Sequence, residues 1–408
     1  MKTLLRICRY IGYLLFRPIW ILERLVPRSN TIWIFGAWYG QKFSDNSKWL
    51  YEYVLNNYKS IKPIWITKNK EIYNELRKQN KNVYLSKSFF GIYYSLRAKW
   101  CFLSSGTVDI NRYFINGAKI ILLWHGMPLK KIGFSDDTQI TSLKKLKLLE
   151  FFNPYIYTTL HPYATLSSAP FFNNFLIDAF RVSDSQIWQV GLPRCDAFFS
   201  EMNEPFITKI KEKNPTAKIM IYLPTYRMSS DGLGKCFSPF EQKFGFNNLE
   251  FQSFLEENNI IILYKPHYMD SVVDIGLSTK NFIRINDSDF NDLYILLNNV
   301  DALITDYSSV YFDFLPSKKS VFLCPFDYKE YLSTSRGHYF NMYEEMDAVV
   351  CNSWQDFYKK AASMPWETVK ETEIQKFATY LDGNVCEKIV RKISEIIQNE
   401  EASQIITT

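Results

Sequence analysis

Histidine is scarce in this chain, four in 408 residues, and the seven cysteines (Cys8, Cys101, Cys195, Cys236, Cys324, Cys351 and Cys386) form no CxxC pair. An odd count at wide spacing argues against a disulfide framework and against a structural zinc site. Several cysteines fall inside apolar strand-like runs and read as reduced, buried thiols of a cytoplasmic protein. No GxGxxG follows the first predicted strand and no GxxxxGK[ST] occurs, which disfavours nicotinamide and P-loop nucleotide chemistry. Internal repeats and low-complexity tracts are lacking as well.

What is present is a chain of two-domain length, 47% hydrophobic and 22% charged, able to bury sizeable cores and unlike a disordered or multispan membrane protein. The net charge of +6 is modest and carries no nucleic-acid signature, yet it is uneven. The first 28 residues hold Lys2, Arg6, Arg9, Arg17, Arg24 and Arg28 against Glu23 alone, interleaved with Leu, Ile, Phe and Trp. The uncharged runs there fall far short of the roughly 20 residues that span a bilayer, and Pro18 interrupts the helix. Residues 1–28 are therefore expected to lie in the headgroup region of an anionic leaflet, the alternative being a helix packed on its own domain. Charge punctuates the apolar run and no small-residue cleavage site follows, which argues against a secretory signal.

After Pro27, short apolar strands alternate with amphipathic segments. Residues 31–37, 63–67, 82–85, 100–104 and 120–124 read as strands, with helices over 46–59 and 70–79. A second series reads at 218–223, 260–265, 282–285, 302–305 and 321–323. Such alternation predicts parallel sheets covered on both faces, an α/β fold in two Rossmann-like domains, 29–200 and 201–400, joined by a proline-containing stretch from about 191 to 216. The glycine-bearing segment 229–247 reads as a long loop of the kind that borders a site.

Candidate chemistry gathers at strand ends, where open parallel sheets bind ligands. His125 follows one strand beside Gly126 and His267 follows another beside Pro266, one in each half. Arg227 follows the strand 218–223, and Lys265 follows 260–264. Asp306 with Ser308 and Ser309 breaks the strand 302–305 into a helix start, a natural phosphate cradle, although such serines are also ordinary caps. Arg336 lies further on. Together these basic and hydroxyl groups form the footprint of a diphosphate, with no metal-binding acid cluster.

The ordered motifs Gly40-Gln41-Lys42-Phe43-Ser44-Asp45-Asn46-Ser47-Lys48, Trp124-His125-Gly126-Met127-Pro128-Leu129-Lys130-Lys131-Ile132-Gly133, Gly191-Leu192-Pro193-Arg194-Cys195-Asp196, Pro224-Thr225-Tyr226-Arg227, Lys265-Pro266-His267, Thr305-Asp306-Tyr307-Ser308-Ser309 and Arg336-Gly337-His338-Tyr339 cover nearly the whole chain. In that order and spacing the sequence resembles the CDP-glycerol glycerophosphotransferase family, the teichoic acid primases and polymerases. The resemblance implies a GT-B architecture of two Rossmann-like domains facing a cleft. It places an acceptor on the first domain, with Gly126 and Lys130 on that side, and a CDP-glycerol or CDP-ribitol donor on the second. The family's two essential histidines fall on His125 and His267.

The implied reaction is attack by an acceptor hydroxyl on the alditol-bearing phosphorus, with CMP leaving. His125 is the candidate base and His267 the alternative; Arg227, Lys265, Asp306, Ser308, Ser309 and Arg336 are the candidate donor-binding set. No cofactor is implied, and Mg²⁺ dependence, oligomeric state and the choice of glycerol or ribitol stay open. The implied acceptor is a lipid-linked glycan in teichoic acid or capsule synthesis, at the cytoplasmic face of a bacterial membrane. Polymerases of the family usually carry a further N-terminal region, which leans the expectation toward a primase or single-addition enzyme. A GT-B glycosyltransferase using a nucleotide sugar is the alternative reading, resting on fold analogy.

Overall fold

The computed structural model describes residues 18, 21–136, 162–225, 238–266, 279–334 and 337–407. Arg227, His267, Arg336, Cys8, Cys236, most of the 1–28 segment and the first half of the loop 229–247 lie outside the described residues.

By their internal contacts the residues form two units. The first comprises residues 1–125, 132–194 and 384–408, and the second 126–131 and 195–383. The first holds seven strands: β1 Ser29–Gly36, β2 Lys62–Thr67, β3 Val83–Leu85, β4 Ala98–Leu103, β5 Lys119–Leu122, β6 Ala164–Ser167 and β7 Ile187–Gln189. The second holds six: β8 Lys218–Leu223, β9 Ile260–Tyr264, β10 Phe282–Arg284, β11 Ala302–Thr305, β12 Ser320–Leu323 and β13 Val349–Val350. Their orders are β3-β2-β1-β4-β5-β6-β7 and β10-β9-β8-β11-β12-β13, every pairing parallel. The two sheets thus repeat one doubly wound order, each with a switch point, between β1 and β4 and between β8 and β11.

The central strands are continuous apolar runs because helices cover both faces. Ile219 to Tyr222, Ile260 to Tyr264 and Ala302 to Thr305 are buried without interruption. Aromatic side chains fill the cores. In the first unit Phe35 stacks on Phe102 at 4.7 Å between ring centres, and Tyr51 and Trp65 complete the cluster edge-on. In the second, Trp354 heads the helix Trp354–Ala362, stacks on Phe240 at 5.3 Å and donates its indole N–H to the Pro239 carbonyl at 2.7 Å.

Ten strands stand within a few residues of the positions read from sequence. β6, β7 and β13 were not foreseen: at two to four residues, with Thr165, Ser167 and Gln189 among them, they are too short to display a period. The last helix, Val385–Thr407, belongs with the first unit, where Glu400 pairs with Lys119 and, at 3.9 Å, with Lys99. Sequence alternation had grouped it with the second. Among the described residues no helix is long and apolar enough to cross a membrane.

Candidate active site

In the first unit the carboxyl edge of the sheet is tied across its switch point by Asp109. One carboxylate oxygen accepts the Tyr39 N–H beyond β1 at 2.7 Å, and the other accepts Ser104 and Ser105 N–H beyond β4 at 2.9 and 2.7 Å. Asp109 is fully buried, and burial pushes its carboxyl up to about 6 although these N–H groups pull it down. The turn it closes runs through Trp38, Tyr39 and Gly40 at φ 48°, 58° and 78°. Gly40 is required there, since a Cβ would meet the Asp109 carbonyl oxygen at 2.7 Å.

His125 stands beyond β5, next to that bracket. Its Nδ1 lies 3.1 Å from the Ser104 carbonyl oxygen, and its ring packs against Trp124 at 4.0 Å and Trp38 at 5.7 Å. A carbonyl only accepts, so in the neutral ring the proton sits on Nδ1 and the lone pair on Nε2. Trp124 enters this position at φ 55°, held by the Asn46 side-chain amide, which donates to the Trp124 and Leu123 carbonyls at 2.9 and 3.3 Å. Asn46 in turn accepts the Arg194 N–H at 3.1 Å, and the Arg194 guanidinium meets Asp45 at 2.6 Å, both side chains buried. A buried pair of this kind fixes geometry more than it adds stability.

The second unit repeats the bracket with Asp306. Its carboxylate, buried beyond β11, accepts the Thr225 N–H beyond β8 at 2.9 Å and its neighbour Tyr307's N–H at 2.6 Å. Asp306 thus joins the strands on either side of the switch point and acts as a positioning residue. Ser308 and Ser309 follow, both half-buried. Ser308 Oγ accepts the Val310 N–H at a long 3.4 Å, and the Ser309 side chain makes no capping bond. The helix they lead into, Val310–Phe314, is a single short turn, so the macrodipole contribution expected from sequence is small; hydroxyls and turn N–H groups are what the site offers. Lys265, beyond β9, pairs with the exposed Asp287 at 2.9 Å.

Gly126 and Lys130 belong by their contacts to the second unit. The Lys131 N–H donates to the Gly337 carbonyl at 2.7 Å and the Tyr339 N–H to the Leu129 carbonyl at 2.9 Å, an antiparallel bridge that sets Lys130 opposite His338. The His338 ring lies 6.0–6.2 Å from the ring centres of Tyr307, Tyr328 and Tyr331, and both its nitrogens are buried without a hydrogen-bond partner among the described residues. Burial, with Lys130 adding to it, pulls this imidazole down to about 4, so it is neutral at pH 7.

Of the residues singled out from sequence, the structure gathers Asp306, Ser308 and Ser309 at the second switch point and sets His125 at the first sheet's edge. The supporting set, Asp45, Asn46, Ser104, Asp109 and Arg194, emerges only from the structure. Asp45, Asn46 and Arg194 lie inside the motifs quoted above, and the Ser104-Ser105-Gly106 turn after β4 was the available signal for Asp109. Among the described residues no group of three or more His, Cys, Asp or Glu side chains could hold a metal ion.

The family described as CDP-Glycerol:Poly(glycerophosphate) glycerophosphotransferase matches residues 19–395. A teichoic acid glycerol-phosphate transferase of Staphylococcus aureus is 27% identical over 402 residues, 94% of this chain and 98% of the relative. A teichoic acid poly(glycerol phosphate) polymerase of Staphylococcus epidermidis is 26% identical over 77% of this chain and 43% of its own length. The solved structure of the wall teichoic acid polymerase TagF superposes with a TM-score of 0.72 at 19% identity, covering 98% of both chains, and so shares the fold. The two-sheet α/β fold of GT-B type expected from sequence is the fold found, and the chain is an enzyme that belongs to the CDP-glycerol:poly(glycerophosphate) glycerophosphotransferase family.

Proposed function

We propose that this enzyme transfers glycerol phosphate, or ribitol phosphate, from a CDP-alditol to a hydroxyl of a lipid-linked glycan in teichoic acid or related surface-polymer synthesis, releasing CMP. The first unit takes the acceptor and the second the donor. The acceptor oxygen bonds to the alditol-bearing phosphorus as the bond from that phosphorus to the CMP oxygen breaks. The acceptor's proton passes to His125 Nε2. Charge gathering on the phosphoryl oxygens is offset by Ser308, Ser309 and Lys265, with Arg227, His267 and Arg336 as further cationic or hydrogen-bonding candidates from the sequence.

The observation that carries the reading is the pinned tautomer of His125. An alcohol is a weak nucleophile at neutral pH, and a base serves it only if its lone pair is fixed in direction. The bond from Nδ1 to the Ser104 carbonyl supplies that direction. The lipid anchor of the acceptor would bring the enzyme to the cytoplasmic face of an anionic membrane, with residues 1–28 lying on it.

The test is to incubate the enzyme with CDP-glycerol, CDP-ribitol and a panel of nucleotide sugars, with and without a synthetic lipid-linked acceptor. CMP released from a CDP-alditol only with acceptor present is expected and identifies the alditol. Nucleoside diphosphate released only from a sugar nucleotide would overturn the reading.

A further inference from the structure

Beside His125, the carboxyl edge of the first sheet carries cations that the proton transfer does not use. Lys87 follows β3, Lys68 follows β2, Lys42 comes after β1 and Arg112 after β4. In the sheet those strands stand in the order β3-β2-β1-β4, with β5, and His125 beyond it, next in line. Neighbouring strands lie about 4.8 Å apart, so the four strand ends span about 14 Å and lead toward the candidate base.

Contacts tie this row together. The Lys68 N–H donates to the Gly40 carbonyl at 2.8 Å, and its ammonium donates to the Val108 carbonyl. Its stem runs beside Gly40, where a Cβ would stand 3.0 Å from Lys68 Cγ. Asn111, the neighbour of Arg112, donates its side-chain amide to the carbonyl of Ser86, the neighbour of Lys87, at 3.1 Å. The Lys42 ammonium lies 5.9 Å from the centre of the Trp38 ring, the same ring that packs against His125 at 5.7 Å. The acids close by do not balance these charges. Asp109 gives its carboxylate to three backbone N–H groups, and Asp45 is buried against Arg194. Glu71, in the first turn of the helix Lys70–Lys78, is exposed and makes no ion pair with them among the described residues. Burial pulls the Lys68 ammonium below its ordinary range; Asp109 opposes this, and Arg112 and Lys87 add to it. An anion set among these cations relieves their mutual repulsion.

We propose that Lys42, Lys68, Lys87 and Arg112 form a subsite for phosphate groups of the acceptor, which positions the acceptor hydroxyl toward His125. Each transfer leaves a phosphodiester beside a fresh alditol hydroxyl, so a product that returns as acceptor carries such a group next to the reacting oxygen. Phosphate joining a glycan to its lipid is the other source of the same chemistry. A row of cations over four strand ends is longer than one phosphate needs and suits a ligand that carries several. The inference rests on the proposed reaction for the identity of the acceptor, but phosphate binding requires neither donor nor turnover and is judged separately.

The experiment is calorimetry of the full chain, as wild type, K87Q and K68Q/K87Q, with three synthetic ligands: tri(glycerol phosphate), a disaccharide joined to an alkyl chain through phosphate, and the same disaccharide as a neutral alkyl glycoside. Affinity for a phosphate-bearing ligand is expected to fall roughly tenfold in K68Q/K87Q and a few-fold in K87Q, with the neutral glycoside unaffected. Whichever phosphate ligand loses affinity identifies the source. CDP-glycerol, titrated as a control, should bind the variants as it binds wild type, which shows that they are folded and that the row serves the acceptor. Equal affinity of wild type and K68Q/K87Q for both phosphate ligands would overturn the proposal, as would an equal loss of affinity for CDP-glycerol. Turnover is scored apart: a CDP-alditol that is never consumed overturns the reaction, whereas undiminished phosphate binding overturns the subsite.

Discussion

The carboxyl edges of the two sheets share a plan and differ in what they hold still. In each, a buried aspartate beyond the strand on one side of the switch point accepts backbone N–H groups from the other side: Asp109 binds the turns after β1 and β4, Asp306 those after β8 and β11. In the first unit a further layer is built on the bracket. Asn46, Asp45 and Arg194 fix the carbonyls around Trp124, and Ser104 fixes the imidazole of His125. In the second the bracket leads directly to half-exposed hydroxyls and to a lysine whose partner, Asp287, is solvent-exposed. One edge holds the His125 imidazole in a single hydrogen-bonded orientation, whereas the other leaves two hydroxyls and an ammonium group near its surface.

If that contrast is right, variants at the two edges should fail differently. On the proposed role of His125 as the base, His125→Ala should lower kcat by about 10²–10⁴-fold with little change in the KM for the CDP-alditol. Steady-state kinetics with the donor varied at saturating acceptor would measure it, and a KM effect larger than the kcat effect would erase the contrast. Next in size is the bracket itself. Asp109→Ala removes the acceptor of three backbone N–H groups, two of them buried, and should cost about 2–3 kcal/mol in urea unfolding, whereas Asp306→Ala removes that of two, one of them buried, and should cost less. Equal costs would mean that the number of N–H groups each aspartate gathers does not set the rigidity of its edge. Ser308→Ala with Ser309→Ala should weaken donor binding by about 1–3 kcal/mol, read by calorimetry with CDP-glycerol, and leave stability within experimental scatter.

Much of this was legible in the sequence because it is written locally. Buried strands such as Ile260 to Tyr264 announce themselves as apolar runs, and His125 and Ser308 sit at the breaks that end such runs. What could not be read is what the chain does at a distance. Asp306 looks like a ligand-facing acid or a cap, yet its carboxylate goes to Thr225, a pairing that exists only once β8 and β11 are neighbours. Asp109 and Arg194 are invisible for the same reason: each is an isolated charge in sequence, and its partners, Tyr39 and Asp45, come from other elements. The assignment of Gly126 to Lys131 to the second unit, through their bridge to Gly337 and Tyr339, likewise has no sequence periodicity behind it.

The finest test of the contrast is acid titration, because the two units contain groups displaced in opposite senses. Burial holds His338 down at about 4 from an ordinary 6.5. The unfolded chain therefore takes up this proton before the folded one does, and the stability His338 confers is full above pH 6.5 and lost as pH falls toward 4. Burial holds Asp109 up at about 6 from 3.8. Here the folded chain keeps a proton that the unfolded chain has released, so its contribution is full below pH 3.8 and lost as pH rises through 6. Between those limits the two slopes oppose. Urea midpoints measured across the window should show that His338→Phe flattens the acid loss of wild type, whereas Asp109→Asn steepens it. A His338→Phe profile parallel to wild type would mean that its ring is hydrated in the folded enzyme, and that the tyrosine enclosure around it is open to water.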